Sequence, residues 1–220
     1  MSNLGHFVLL QFSVRSDTLY AMTNLADLSA RISACTYCRD RFLATETAHE
    51  PRPVAWLSET APILIAGQAP GARVHASGIP FDDPSGDRLR DWLGLDRDSF
   101  YDRSKVAILP MAFCFPGYRK GSDLPPPPDC AKLWRQQSLG VMPQIKLTLL
   151  VGGYAQKWHL DGKAMPVTER VRDWQNLTPS HLPLPHPSWR NTGWLNKNPW
   201  FEAEVLPWLR TTVKDLLADR

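Results

Sequence analysis

The chain has no apolar run approaching the ~18–20 residues of a membrane-spanning helix. Its opening stretch, Met1 to Gln11, lacks the basic segment and small-residue cleavage pattern of a secretory signal. A cytoplasmic protein with no membrane partner is expected. Charge of one sign is also scarce: 25 Lys and Arg against 22 Asp and Glu leave a net +3. That balance is compatible with a polyanionic partner and does not identify one. No internal repeat is apparent, and low complexity is confined to Pro125–Pro128, which excludes solenoids and fibrous arrays. Cysteine is limited to four residues. In a reducing compartment they are expected as metal or redox groups rather than disulfides.

Against these absences stand 20 prolines and nine tryptophans in 220 residues, 43% of them hydrophobic. Such a chain can bury a full core and is not disordered. The prolines point to many fixed loops around a compact α/β body. Residues 1–24 read as a weakly patterned lead-in, with Met22 an alternative start, and residues 25–220 as a single domain.

Three short continuous apolar runs have the pattern of strands buried on both faces: Pro62–Ala66, Val106–Leu109 and Leu147–Val151. Each ends at once in a turn, at Gly67-Gln68-Ala69-Pro70-Gly71, Pro110-Met111 and Gly152-Gly153. Helical spacing is seen from Asp27 to Ile32, from Ser85 to Leu93 and from Cys130 to Val141, and a last helix is expected from Phe201 to Leu217. A fourth strand is expected around Leu182-Pro183-Leu184, where proline restricts it to an edge or a strand end. This alternation predicts a parallel sheet with helices on both faces. In such sheets ligands bind beyond the carboxyl ends of the strands. The Gly67–Gly71 loop, the Pro110–Pro116 segment and His186-Pro187-Ser188 should therefore converge on one cleft.

Cys35 and Cys38 form a CxxC pair, and Cys114 and Cys130 a distant pair. Four thiolates can complete a tetrahedral zinc site or hold an iron–sulfur cluster, whereas unrelated buried thiols are the plainer alternative.

These motifs, in this order, resemble the uracil-DNA glycosylase superfamily, most closely its iron–sulfur branch, family 4, and that branch's bacterial relatives. The resemblance runs from about Leu25 to Leu217. It is carried by Gly67-Gln68-Ala69-Pro70-Gly71, by Gly78-Ile79-Pro80-Phe81 seven residues further on, by His186-Pro187-Ser188, and by the four cysteines in register. The resemblance implies a three-layer α/β/α sandwich around a four-stranded parallel sheet. It implies a monofunctional glycosylase, acting as a monomer, that hydrolyses the N-glycosidic bond of uracil or other deaminated bases in DNA and leaves an abasic site. It also implies a 4Fe-4S cluster on Cys35, Cys38, Cys114 and Cys130, with zinc as the alternative occupant.

Such an enzyme flips a nucleotide from the stack, holds the base, stabilises the departing oxyanion and places a water under the sugar. By the resemblance, Phe81 stacks on the base and His186 donates to the oxyanion, while Gln68, Ala69, Pro110 and Met111 surround the base. Ser188, Trp189, Arg190 and Asn191 fall on the loop expected to meet DNA, with Ser188 and Arg190 suited to phosphate and Trp189 to a wedge or a lid. The water-positioning group departs from the family: its carboxylates fall at the positions of Gln68 and Ala69, and its base-reading asparagine at Pro110. Asp82, Asp83 and His75 are the replacements within the same loops, although an aspartate before Ser85 also suits a helix cap. Two other readings remain: a module that binds uracil-containing DNA, in one version trapping it through His75, and a superfamily member with a different ligand.

Overall fold

The computed structural model describes residues 24–160, 162, 163 and 165–218. The lead-in therefore lies outside the described residues except for Asn24, and Met22 with it. The elements in chain order are α1 (Leu25–Ser33), α2 (Arg39–Leu43), β1 (Ile63–Ala66), α3 (Ala72–Ser77), α4 (Pro84–Leu93), α5 (Arg97–Tyr101) and β2 (Val106–Ile108). There follow β3 (Tyr118–Arg119), β4 (Ser122–Asp123), α6 (Pro128–Gly140), β5 (Leu147–Val151), α7 (Gly153–His159), α8 (Val167–Arg172) and α9 (Trp174–Leu177). The chain closes with β6 (His181–Leu184), a 3₁₀ turn (Trp189–Asn191), α10 (Thr192–Lys197), a π-helical turn (Phe201–Val205) and α11 (Leu206–Ala218).

Four strands form one parallel sheet in the order β2-β1-β5-β6. The central strands β1 and β5 are buried along their whole length, which is why they read as unbroken apolar runs. Pro183 sits in β6, an edge strand, where its missing N–H costs the ladder nothing. On one face, Ile63, Ile65 and Leu149 pack with α4, α11 and the π-helical turn through Trp92, Phe201 and Leu209. On the other, Leu64, Ala107 and Leu109 pack with α1 and α6 through Leu28, Ile32 and Trp134. The result is the expected α/β/α sandwich.

Two features are absent from the sequence reading. A two-residue hairpin turn, Lys120-Gly121, joins β3 to β4, with φ +51° and +70°, the left-handed pair that suits a tight hairpin. And the buried stripe of α6 runs Ala131, Arg135, Ser138, so its central position is a fully buried arginine. The guanidinium of Arg135 donates to the carbonyls of Leu109 (3.2 Å) and Pro110 (3.0 Å) and to Nε2 of His159 (2.6 Å from Nη2). All three acceptors are neutral, and burial pulls the arginine down to about 9.

His159 accepts from Arg135 only while uncharged. Burial, with Arg135 and His181 adding to it, holds His159 down to about 3. Unfolding restores an ordinary histidine near 6.5, so its contribution is complete above about pH 6.5 and is lost as pH falls toward 3. Between pH 7 and pH 5 the wild-type protein is expected to lose about 2 kcal/mol more stability than His159→Gln, as read by urea unfolding. Equal losses in the two proteins would contradict this reading.

Candidate active site

Beyond the carboxyl ends of β1, β2 and β6 lies a cleft of about 370 Å³. The exits of β1 and β2 continue the ladder past the strands: Leu109 N–H donates to Ile65 O (2.9 Å), Met111 to Gly67 (2.8 Å) and Ala112 to Gln68 (3.1 Å). Successive residues of an extended chain face opposite ways. Pro110 accordingly lines the cleft, while Met111 is buried against Ala66, Ala131 and Leu150. Met111, expected beside the base, thus lies in the core and is not among the residues lining the cleft.

Phe81 enters the cleft from an unusual backbone. Its φ is +55°, a conformation that costs a bulky residue free energy and persists only when its surroundings hold it. Here they do. The Phe81 carbonyl accepts from the Tyr101 hydroxyl (3.1 Å) and from Nη1 of the buried Arg90 (3.5 Å), and Arg90 also pairs with Asp87. Gly86 passes so close that a Cβ there would lie 1.8 Å from the same oxygen. The ring packs edge-on to Phe100 and reaches over Gly67.

The two neighbouring aspartates part company. Asp83 is the N-cap of α4, its Oδ1 accepting from Gly86 N–H (3.0 Å) and the Ser85 hydroxyl, and it lines the cleft. Asp82 turns away to pair with Arg97 (3.1 Å) and is not among the lining residues. His75 is also outside the cleft wall. Its ring lies against His49 (centroids 4.9 Å apart) and Phe115, with Nδ1 buried and unpartnered, and burial together with His49 and Arg52 lowers its proton affinity.

His186 follows β6 and faces the same cleft as Gln68, Ala69, Phe81 and Pro110. Its Nδ1 accepts from the Ser188 backbone N–H (3.1 Å). The neutral ring must then carry its proton on Nε2. Burial lowers the proton affinity of His186, and the carboxylates of Asp83 and Asp123 push it partly back. The loop behind it is well held. Asn191 Nδ2 donates to His186 O (2.8 Å), and Arg88 donates to Ser188 O (3.0 Å) and Thr192 Oγ1 (3.2 Å). Ser188, Arg190 and Asn191 line the cleft, whereas Trp189 projects from the rim at 72% exposure.

Asp123 was missed by sequence reasoning. It lines the cleft from β4, and the Lys120-Gly121 turn was the signal that would have found it. The hairpin is tied back to the segment after α2. Lys120 N–H donates to the Glu46 carboxylate (3.0 Å), His49 Nε2 bonds Phe115 O (2.9 Å), and Gly117 leaves room for Thr45.

The thiols flank these two segments in the chain. Cys35 falls just past α1, Cys38 caps α2, and both face Cys114 and Cys130 across one small apolar cavity. All four are free thiols. Burial pushes Cys114 and Cys130 up to about 12. Among the described residues, no set of three or more His, Cys, Asp or Glu side chains is grouped tightly enough for a single metal ion.

A family model described as the uracil DNA glycosylase superfamily matches residues 54–210. The chain belongs to that superfamily. For this glycosylase superfamily member the match spans β1 to β6 and every lining residue of the cleft; Cys35 and Cys38 precede it. Among the described residues no helix is long and apolar enough to cross a membrane.

The hold on Phe81 is testable without any substrate. Gly86→Ala is expected to cost about 2 kcal/mol or more in urea unfolding, because the added methyl meets a backbone oxygen that cannot move without releasing Phe81. An unchanged midpoint would show that the Phe81 turn is free to shift.

Proposed function

We propose that the protein is a monofunctional DNA glycosylase that hydrolyses the N-glycosidic bond of uracil, and of related deaminated bases, leaving an abasic site in DNA. The observation that carries this reading is His186, a half-buried imidazole with Nδ1 occupied and Nε2 left as an N–H donor, lining the same cleft as Phe81. A neutral donor suits an oxyanion that develops only as the bond breaks. It does not bind a cation's worth of solvent beforehand, and in a low-dielectric site it is worth far more than in water.

In this reading the base enters between the Phe81 ring and the Gln68-Ala69 turn, with Pro110 as the floor. Pro110 offers no N–H, so base selection falls to Gln68 and to the fit of the walls. Water activation falls to Asp83. Its Oδ1 is already engaged as a helix cap, which fixes the carboxylate and leaves Oδ2 for a water. The neighbouring Asp123 adds negative charge where the sugar becomes cationic. Arg190 and Ser188 sit where a phosphate passes, and the exposed Trp189 stands as the wedge that fills the vacated stack. The covalent-trapping alternative has less support, because His75, on α3, packs against His49 and Phe115 and is not on the cleft wall.

We propose that the four thiols around this cavity hold a polynuclear iron–sulfur cluster rather than zinc. Zinc would draw four sulfurs to within about 3.8 Å of one another, whereas in a cluster each thiolate bonds a different iron. When bound, such a group would tie the α1–α2 segment to the Cys114–Cys130 segment, as the Glu46 and His49 contacts already do. On this reading we propose that the protein is of the iron–sulfur branch, one unit from residue 25 onward, and acts as a cytoplasmic monomer.

The test is alkali-revealed strand cleavage of labelled oligonucleotides carrying one uracil, hypoxanthine or xanthine, with visible absorbance of anaerobically purified protein recorded alongside. Cleavage at uracil and a broad band near the iron–sulfur region are expected. Asp83→Asn, which keeps the cap because asparagine caps as well as aspartate, should lower kcat by about 10² or more. Asp82→Asn should change it less than about threefold. Equal rates for Asp83→Asn and wild type would remove Asp83 from the chemistry, and binding without cleavage would favour the binding module.

A further inference from the structure

The cleft is not the only cavity that His186 faces. A second one, of about 420 Å³, opens beyond the carboxyl ends of β5 and β6 and shares three wall residues with the first: Gln68, His186 and Asn191. Two chambers of similar size thus stand on either side of one partition. At this partition Gly152, at φ +83°, brings the β5 exit alongside the histidine, where a Cβ would be in ordinary contact, 3.9 Å from His186 Cβ.

The second chamber has its own chemistry. Tyr154, 45% exposed, and Trp194 supply aromatic faces, and Lys157 supplies a cationic end. None of the described residues lining it is acidic. Gln156, also on its wall, is 1% exposed. The orientation of that amide is fixed, since Nε2 donates to two carbonyls, Leu150 O (3.2 Å) and Leu184 O (2.9 Å). Its Oε1 is left buried without a partner. An unmade hydrogen bond at such an atom is costly, and an N–H or O–H group satisfies it. Aromatic faces and a cation beside the wall that His186 shares suit a nucleotide: a base to stack and a phosphate to pair.

We propose that this second chamber receives the nucleotide adjacent to the target on the same strand. The target base occupies the first chamber, its neighbour the second, and His186 stands between them. The proposal rests on the glycosylase reading for the identity of the strand. It makes the enzyme a reader of two consecutive nucleotides, with Tyr154 as the stacking platform and Lys157 at the neighbour's phosphate. A strand with both nucleotides unstacked enters most readily when it is single, so the preferred substrate is single-stranded DNA with a base beside the uracil.

The experiment uses the full chain and single-stranded oligonucleotides with one uracil, in which the base immediately 5′ or immediately 3′ is replaced by a tetrahydrofuran abasic analogue. Removing the base on one side, and only one, is expected to raise KM about tenfold, the scale of one stacked base. Tyr154→Ala should abolish the difference between the intact and the one-sided substrates. A KM indifferent to both neighbours would overturn the proposal, as would a side-dependence that persists in Tyr154→Ala. If added deoxynucleoside monophosphates restore the KM of the substrate lacking its neighbour, the chamber takes free nucleotide and the strand assignment is wrong. If no oligonucleotide releases uracil, the glycosylase reading has failed separately. The same substrates are then compared by fluorescence anisotropy, where a one-sided, Tyr154-dependent tenfold loss of affinity supports the chamber and its absence overturns it.

Discussion

The parallel ladder centred on β1 is the constraint on which the rest depends. Because β1 pairs with β2 on one side and β5 on the other, all in the same direction, every strand releases its loop at the same end of the sheet. The ladder does not stop at the strand ends. Met111 and Ala112 continue to donate to Gly67 and Gln68, so the two loops that bear Pro110 and Gln68 are bonded to each other before any ligand arrives. A cleft built in this way has fixed walls, and preorganisation of that kind is what a site needs if its dipoles are to stabilise a transition state.

Charge is managed by burial and by neutral partners more than by ion pairing. Arg135 is held among carbonyls and an uncharged histidine, and His186 is kept neutral by its surroundings with two carboxylates at a distance. The surface contributes less than its composition suggests. Arg103 stacks over Trp56 at 4.5 Å and Lys105 pairs with Asp102, so these two basic residues ahead of β2 have local partners. The functional electrostatics therefore sit in a few buried groups, and the small net charge of the chain says little about them.

The sheet was legible in the sequence because both its faces are covered, and apolar runs such as Leu147–Val151 have no other cheap conformation. The edge position of β6 was legible for a different reason, namely the missing N–H of Pro183. Short polar helices such as Val167–Arg172 were not legible, since they are held by packing rather than by their own pattern. Within the site, His186, Phe81, Gln68 and Pro110 fall where the motif order implied. Asp82 and Asp83 could not be told apart by sequence, because only the extended backbone of Asp83, at φ −154°, decides which carboxylate caps α4. Arg135 was invisible as well: an arginine in a helix reads as solvent-facing until the carbonyls that receive it are located. The left-handed turn at Phe81 is a tertiary fact, made by Tyr101, Arg90 and Gly86 together.

The central claim is that this cleft releases a free base with His186 as the neutral donor. Mass spectrometry of uracil liberated from an oligonucleotide, under excess substrate, measures it directly for the wild type and for His186→Ala. The account predicts repeated turnover by the wild type and a rate about 10² to 10³ lower in the variant. No free uracil from the wild type, or equal rates from the two proteins, would contradict it.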